Sequence, residues 1–144
     1  MSARSAASAG LCETPVDGRL RLQQCAECDA VQYPPRERCG KCLSDALVWR
    51  VVDGHAELLA VTTLHHSLEP WFGARLPWTV ASLKLAAGPV VFAHVAAALA
   101  QPGRQLAVAT ARGPDGGWCL VAFAATTDDA AGLHSALRTL GMGT

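Results

Sequence analysis

Residues 25–42 read CAECDAVQYPPRERCGKC, two Cys-x-x-Cys pairs, Cys25 with Cys28 and Cys39 with Cys42, joined by a connector of ten residues. Each pair lets one short turn present two sulfurs, and two such turns close a tetrahedron around Zn²⁺. A shell made only of sulfur leaves no open position for water or substrate, so the metal it holds is structural rather than catalytic. Iron also sits in sulfur tetrahedra, so the spacing by itself leaves Zn and Fe both open. A turn of this kind favours a residue that tolerates positive φ near its end. Asp29 follows the first pair, Gly40 lies inside the second, and Leu43, after Cys42, suits the requirement less well.

The flanks complete a small unit over residues 18–48. In GRLRLQQC, Leu20 and Leu22 alternate with polar residues and predict a strand leading into Cys25. Pro34 and Pro35 stiffen the connector between the two turns. A ribbon of about 30 residues buries too little apolar surface to fold alone, whereas bound metal contributes on the order of 10 kcal/mol to folding.

Composition narrows the function classes. The chain has 144 residues, enough for one or two small domains. Lys plus Arg and Asp plus Glu number 12 each, so no basic field draws nucleic acid or an anionic membrane by charge alone. Alanine supplies much of the 51% apolar fraction, and no run approaches the roughly 20 residues of a spanning helix. The opening MSARSAASAG has no apolar stretch of the secretory kind, which predicts a frayed lead over residues 1–17 and a cytoplasmic protein. Cytosolic thiols stay reduced, which again favours a metal site over disulfides. Cys12 and Cys119 have no partner at ligand spacing, and Cys119, within WCLVAF, reads as a small buried hydrophobe.

Beyond the cysteines, five segments have strand character: AELLAVTTL, WTVASLKLA, PVVFAHV, RQLAVATAR and GWCLVAFA. Asp53-Gly54, Gly88-Pro89, Pro102-Gly103 and GPDGG punctuate them, and the short links predict an antiparallel meander. Five short strands suit a small closed barrel of the OB type better than a two-sheet sandwich, here over residues 49–125. From residue 126 to 144 the spacing of Ala130, Leu133, Leu137 and Leu140 predicts a helix, with Thr127 as N-cap, Asp128 and Asp129 in its first turn and Gly141 as its stop. The fold class is mainly β: a metal ribbon, a five-stranded barrel and a short C-terminal helix.

One long connection, HHSLEPWFGARLPW, interrupts the strands and carries Trp71, Phe72, Arg75 and Trp78. Aromatics and Arg in a loop mark a docking or ligand surface; a core in which Trp71 and Trp78 plug the barrel mouth accounts for them equally. His65 and His66 are neighbours on an extended chain and point to opposite faces, with no carboxylate at a helpful spacing, so neither reads as catalytic. His55, His94 and His134 stand isolated, as structural or surface residues. Neither a Gly-rich phosphate loop nor a visible Ser/His/Asp set is present, and the chain does not read as a self-sufficient enzyme.

The ordered combination GRLRLQQCAEC, YPPRERCGKC and VWRVVDGHAELLAVTTL resembles the OB-fold proteins with a rubredoxin-like zinc ribbon, the domain of unknown function thirty-five family, over residues 18–125. Trp49, Gly54 and Thr62 stand where that family has its Trp, its Gly-containing turn and its first barrel strand. The family usually has Gly after the second cysteine of each pair, where this chain has Asp29 and Leu43, and it commonly begins with an aromatic-containing helix of which SAGLCETPVDG shows little sign. The resemblance implies a non-catalytic subunit that stabilises a thiolase or thiolase-like enzyme in a hetero-oligomer and helps hold or pass on an acyl-CoA thioester. In some members the partner is instead a hot-dog-fold hydratase. With a thiolase-like partner, the composition of the HHSLEPWFGARLPW loop in this sequence points to Arg75 and the aromatics around it as the residues that meet the adenine or phosphates of CoA, or the thiolase surface.

Three other readings compete. A barrel of this type also suggests single-stranded nucleic acid, although the strands carry few aromatics and Lys84 is the only lysine after the ribbon. Iron in the sulfur site would make an electron carrier, and His65 or His66 a hydrolase.

Overall fold

The computed structural model describes residues 17–113, 118–125 and 129–142. Strand β1 (Leu20–Cys25) is the centre of a three-stranded antiparallel sheet, with β2 (Val31–Gln32) on one side and β3 (Leu47–Val52) on the other. The alternation in LRLQQC seats Leu20 and Leu22, both fully buried, in the same core as the barrel residues Leu58, Leu83, Val91 and Leu106. Full burial of a Leu side chain contributes about 2 kcal/mol, so these two tie the ribbon firmly to the barrel. Their strand neighbour Gln23 is buried and polar, and its amide makes three hydrogen bonds. Its Oε1 accepts from the Arg36 and Gln32 groups at 2.7 and 3.2 Å, and its Nε2 donates to the Arg36 carbonyl at 2.9 Å. One buried side chain thus fixes the Pro34-Pro35 connector.

The chain then passes Gly54 into β4 (His55–Leu64), helix α1 (Pro70–Gly73), β5 (Trp78–Leu85), β6 (Val90–His94), a 3-10 turn (Ala97–Leu99), β7 (Gln105–Arg112) and β8 (Trp118–Phe123). The five strands β4 to β8 close in the order β4-β5-β6-β8-β7, so the five expected strands and the closed barrel are all present. The meander is not: β6 and β8 pair in parallel, at His94 and Val121. The 3-10 turn after β6 carries the chain across to β7, which pairs with β4, and β8 then fills the gap between β7 and β6. Closure in this order leaves the barrel without exposed edges.

Every second residue of β7 and β8 faces one of two cores. Leu106, Val108, Leu120 and Ala122 fill the barrel, while Ala107, Ala109, Ala111, Val121 and Phe123 face outward into a second core beneath the C-terminal helix. That helix, α2 (Asp129–Leu140), covers them with Leu133 and Leu137, and Met142 joins from just past its end. Ala130, expected on the same apolar stripe, is exposed. Gly141 stops the helix as expected, at φ 75°, and its N–H bonds the Arg138 carbonyl while the Met142 N–H bonds that of Leu137, the paired closure of a Schellman motif. The expected N-cap Thr127 and Asp128, the Asp129 side chain, and the lead over residues 1–16 lie outside the described residues.

Candidate metal centre and aromatic cluster

The two Cys-x-x-Cys turns have the same backbone wiring. The Asp29 N–H donates to the Cys25 carbonyl at 2.9 Å and the Leu43 N–H to that of Cys39 at 3.0 Å; Cys25 and Cys39 in turn donate to the Ala30 and Ser44 carbonyls at 2.9 and 2.8 Å. Each loop reverses through a left-handed residue, Asp29 at φ 63° and Leu43 at φ 64°. Gly40, which the sequence offered for that role in the second turn, does not take it; the wiring requires it one residue after the second cysteine, and there stands Leu43. Gly40 instead donates its N–H to Gln32 Oε1 at 3.0 Å, linking the second turn to β2.

These turns converge the four sulfurs of Cys25, Cys28, Cys39 and Cys42 to within 4.8 Å of one another, the Cys25–Cys42 and Cys28–Cys39 pairs at 3.5 Å each. Amides favour charge at the first sulfur of each pair. The Cys42 and Lys41 N–H groups pull Cys39 down to about 6, and the Cys28 N–H lowers Cys25. Charge at the remaining sulfurs then meets like charge. The Ser44 amide favours a Cys42 thiolate, yet the Cys25 sulfur, desolvation and the other two sulfurs push that thiol up to about 12. Four thiolates at this spacing need a cation between them, and a divalent metal in a tetrahedron of sulfur resolves the conflict. The donor set fits a ribbon zinc, and the four cysteines are positioned to bind one metal ion.

The structure also brings together all four residues of the expected loop site. Trp71, Phe72 and Trp78 meet edge to face at 5.0–5.4 Å between ring centres. Trp78 is only 6% exposed, yet it does not plug the barrel mouth: it belongs to the outer core beneath α2, with Trp71 and Phe72 half-buried against it. The exposed Arg75 lies 4.0 Å over the Trp71 ring and donates from Nη1 to the Trp71 carbonyl at 2.9 Å.

His94 is a partner that the sequence did not single out. Its Nδ1 accepts the Trp78 indole N–H at 2.9 Å, and its ring stacks on Phe72 at 5.8 Å. Accepting at Nδ1 requires the neutral ring, and burial lowers its pKa in the same direction. The i, i+16 separation of Trp78 and His94 follows from the register of β5 and β6, which no local pattern announces. His65 and His66 are exposed, and the four cysteines form the one group of three or more metal-ligating side chains among the described residues. No helix among these residues is long and apolar enough to cross a membrane.

Beside the cluster an open cavity of about 460 Å³ runs between the loop and the end of α2, bordered by Arg75, Trp78, Thr79, Arg138 and Gly141. Arg138, in the last turn of α2, was not singled out in the sequence at all.

Residues 15–48 match the rubredoxin-like zinc ribbon domain of ChsH2, and residues 49–110 match the ChsH2 C-terminal OB-fold domain. Among solved structures, a chain described as the Ltp2-ChsH2(DUF35) aldolase has a similar fold, with a TM-score of 0.69 at 22% identity, covering 85% of this chain and 97% of that one. No curated protein matches the chain.

Proposed function

We propose that this chain, which belongs to the ChsH2 family of paired zinc-ribbon and OB-fold domains, is a non-catalytic accessory subunit of a thiolase-type acyl-CoA enzyme. In this reading the four cysteines hold Zn²⁺ as scaffold, and the aromatic loop with Arg75 helps hold or pass on the CoA thioester. The observation that carries it is the likeness in fold to a chain described as the Ltp2-ChsH2(DUF35) aldolase, 97% of which this chain covers. Two features of the site support it. A sulfur tetrahedron offers substrate no coordination position, and Trp71, Phe72 and Trp78 are spent on packing one another rather than on flanking a reactive group.

The test is to purify the tagged chain from its native cell, identify the co-purifying protein, and assay thioester turnover by the chain, the partner and the pair. The expected outcome is a thiolase-like partner, one complex by light scattering, activity in the partner or the pair, and none in the chain alone. Turnover of acyl-CoA by the isolated chain overturns the reading. A colourless protein with one zinc per chain is expected; visible absorption of a ferric tetrathiolate overturns the zinc assignment.

A further inference from the structure

We infer that the cavity between the aromatic loop and the end of α2 is an oxyanion site, with Arg75 and Arg138 as its two cationic walls, and that it takes a phosphate or pyrophosphate group. This deepens the ligand half of the reading above and rests on it only for the identity of the molecule that carries the phosphate.

Arg75 and Arg138 both line one cavity of about 460 Å³, ample for a diphosphate. Neither has a carboxylate within salt-bridge distance among the described residues, whose ion pairs are Arg21 with Asp17 and His55 with Asp53. Arg75 uses one donor on the Trp71 carbonyl and rests one face on the Trp71 ring, which orients the plane and leaves its other N–H groups available. A preoriented planar fork suits a phosphate better than a mobile ammonium does.

The obvious objection is the helix end. The C-terminus of α2 carries a partial negative charge of roughly half a unit, which would attract both arginines and repel an anion. That charge is small against two guanidiniums, and the Leu137 and Arg138 carbonyls are already bonded by the Met142 and Gly141 N–H groups. The helix end is closed by backbone bonds without either arginine, and among the described residues no carboxylate pairs with their charge.

The full zinc-loaded chain is titrated with sodium pyrophosphate and, separately, with inorganic phosphate at low and constant ionic strength. Binding is read by calorimetry and by tryptophan emission, because an anion that draws Arg75 from Trp71 alters the indole environment. Saturable binding is expected, tighter for pyrophosphate and weakened by salt. Arg138→Gln, on the exposed face of α2, is expected to weaken it on the order of tenfold with the melting temperature unchanged. Arg75→Lys, which keeps the charge but not the fork, is expected to weaken it less than Arg75→Gln. Absence of saturation for wild type, or equal affinity in Arg138→Gln, overturns the site. Zinc content measured before and after each titration separates binding from metal extraction. Complex formation with the co-purified partner is measured on the same variants. Lost pyrophosphate binding with an intact complex removes this site alone, and an absent complex with intact binding removes the subunit reading alone.

Discussion

From Ala26 to Ala46 the only buried residue is Cys39, whereas the barrel stretch from Ala56 to Val95 buries Leu58, Trp78, Leu83, Leu85, Val91 and Val95 among others. The two regions meet along β1, whose Leu20 and Leu22 belong to the barrel core while Cys25, at the end of the same strand, belongs to the sulfur site. The difference shows that ribbon and barrel draw on separate sources of stability. The barrel is held by a closed ladder around aliphatic side chains, and the ribbon loops by four sulfurs and the Gln23 network, with little apolar surface to fall back on.

Removal of the metal is the harshest test of that division. Chelation, or Cys39→Ser, should disorder residues 26–46 while the barrel amides of β5, β6 and β8 stay protected from hydrogen exchange. The loss to the ribbon is on the order of 10 kcal/mol, the scale of metal-coupled folding. Concerted loss of protection in ribbon and barrel would show that the two are one cooperative unit, and the comparison would fail.

The joint between the regions is the next point to break. A Cβ on Gly54 would lie 2.4 Å from the Val108 carbonyl oxygen, which is backbone and cannot rotate away, and the Gly54 carbonyl already accepts the Val108 N–H at 2.9 Å. Gly54→Ala should therefore cost about 2–3 kcal/mol, the scale of overpacking in a rigid core. It should be read in denaturant melts of the barrel with zinc content unchanged. Equal stability of the variant would mean that β4 and β7 can separate there without penalty.

Within the barrel, the outer core has a polar contact whose contribution depends on pH. Burial depresses the pKa of folded His94 below its ordinary 6.5, so between that value and the lower folded one the unfolded chain binds more protons. Stability therefore rises with pH through this window and is lost as the solution is acidified below about 6.5. Neutral His94 is also the acceptor of the Trp78 N–H, so His94→Leu leaves a largely buried donor unpaired at a cost of about 1–3 kcal/mol and should flatten the acid limb of the melting curve. Tryptophan emission followed from pH 8 to 5 checks both, and an unchanged acid limb in the variant would assign the titration elsewhere.

How much of this was legible depends on whether the signal was local. The cysteine spacing, the Leu20 and Leu22 alternation and the turn residues before each strand are short-range patterns, and the ribbon, the five strands and the helix stop at Gly141 follow from them. Strand order is not local. Nothing in PVVFAHV or GWCLVAFA says that β6 and β8 run parallel, because pairing depends on where the 3-10 turn at Ala97–Leu99 sends the chain. The same holds for the site: the aromatic loop was visible as composition, but the Trp78–His94 bond and the cavity that Arg75 and Arg138 both line come from tertiary packing. Ala130 satisfied the helical period yet faces solvent, since a stripe read from spacing alone has no measure of where the covered surface ends.

The finest test returns to the two metal turns, which are wired alike but closed by different residues. Leu43 sits at φ 64°, a left-handed conformation that costs a branched side chain roughly 1–2 kcal/mol, and it is 70% exposed, so its side chain recovers little by burial. Asp29 holds the equivalent position at φ 63°, where a short polar side chain is tolerated much better. Glycine removes the strain at either site but enlarges the entropy of the unfolded chain by roughly 0.5–1 kcal/mol, which offsets part of the gain. The balance is a net stabilisation of up to about 1 kcal/mol for Leu43→Gly and near zero for Asp29→Gly. Competition with a zinc chelator resolves the difference, because strain released in the metal-bound ribbon appears as tighter retention of the ion. Should both variants hold zinc equally, the second turn carries no excess strain, and the ribbon's dependence on its metal is shared evenly between its two halves.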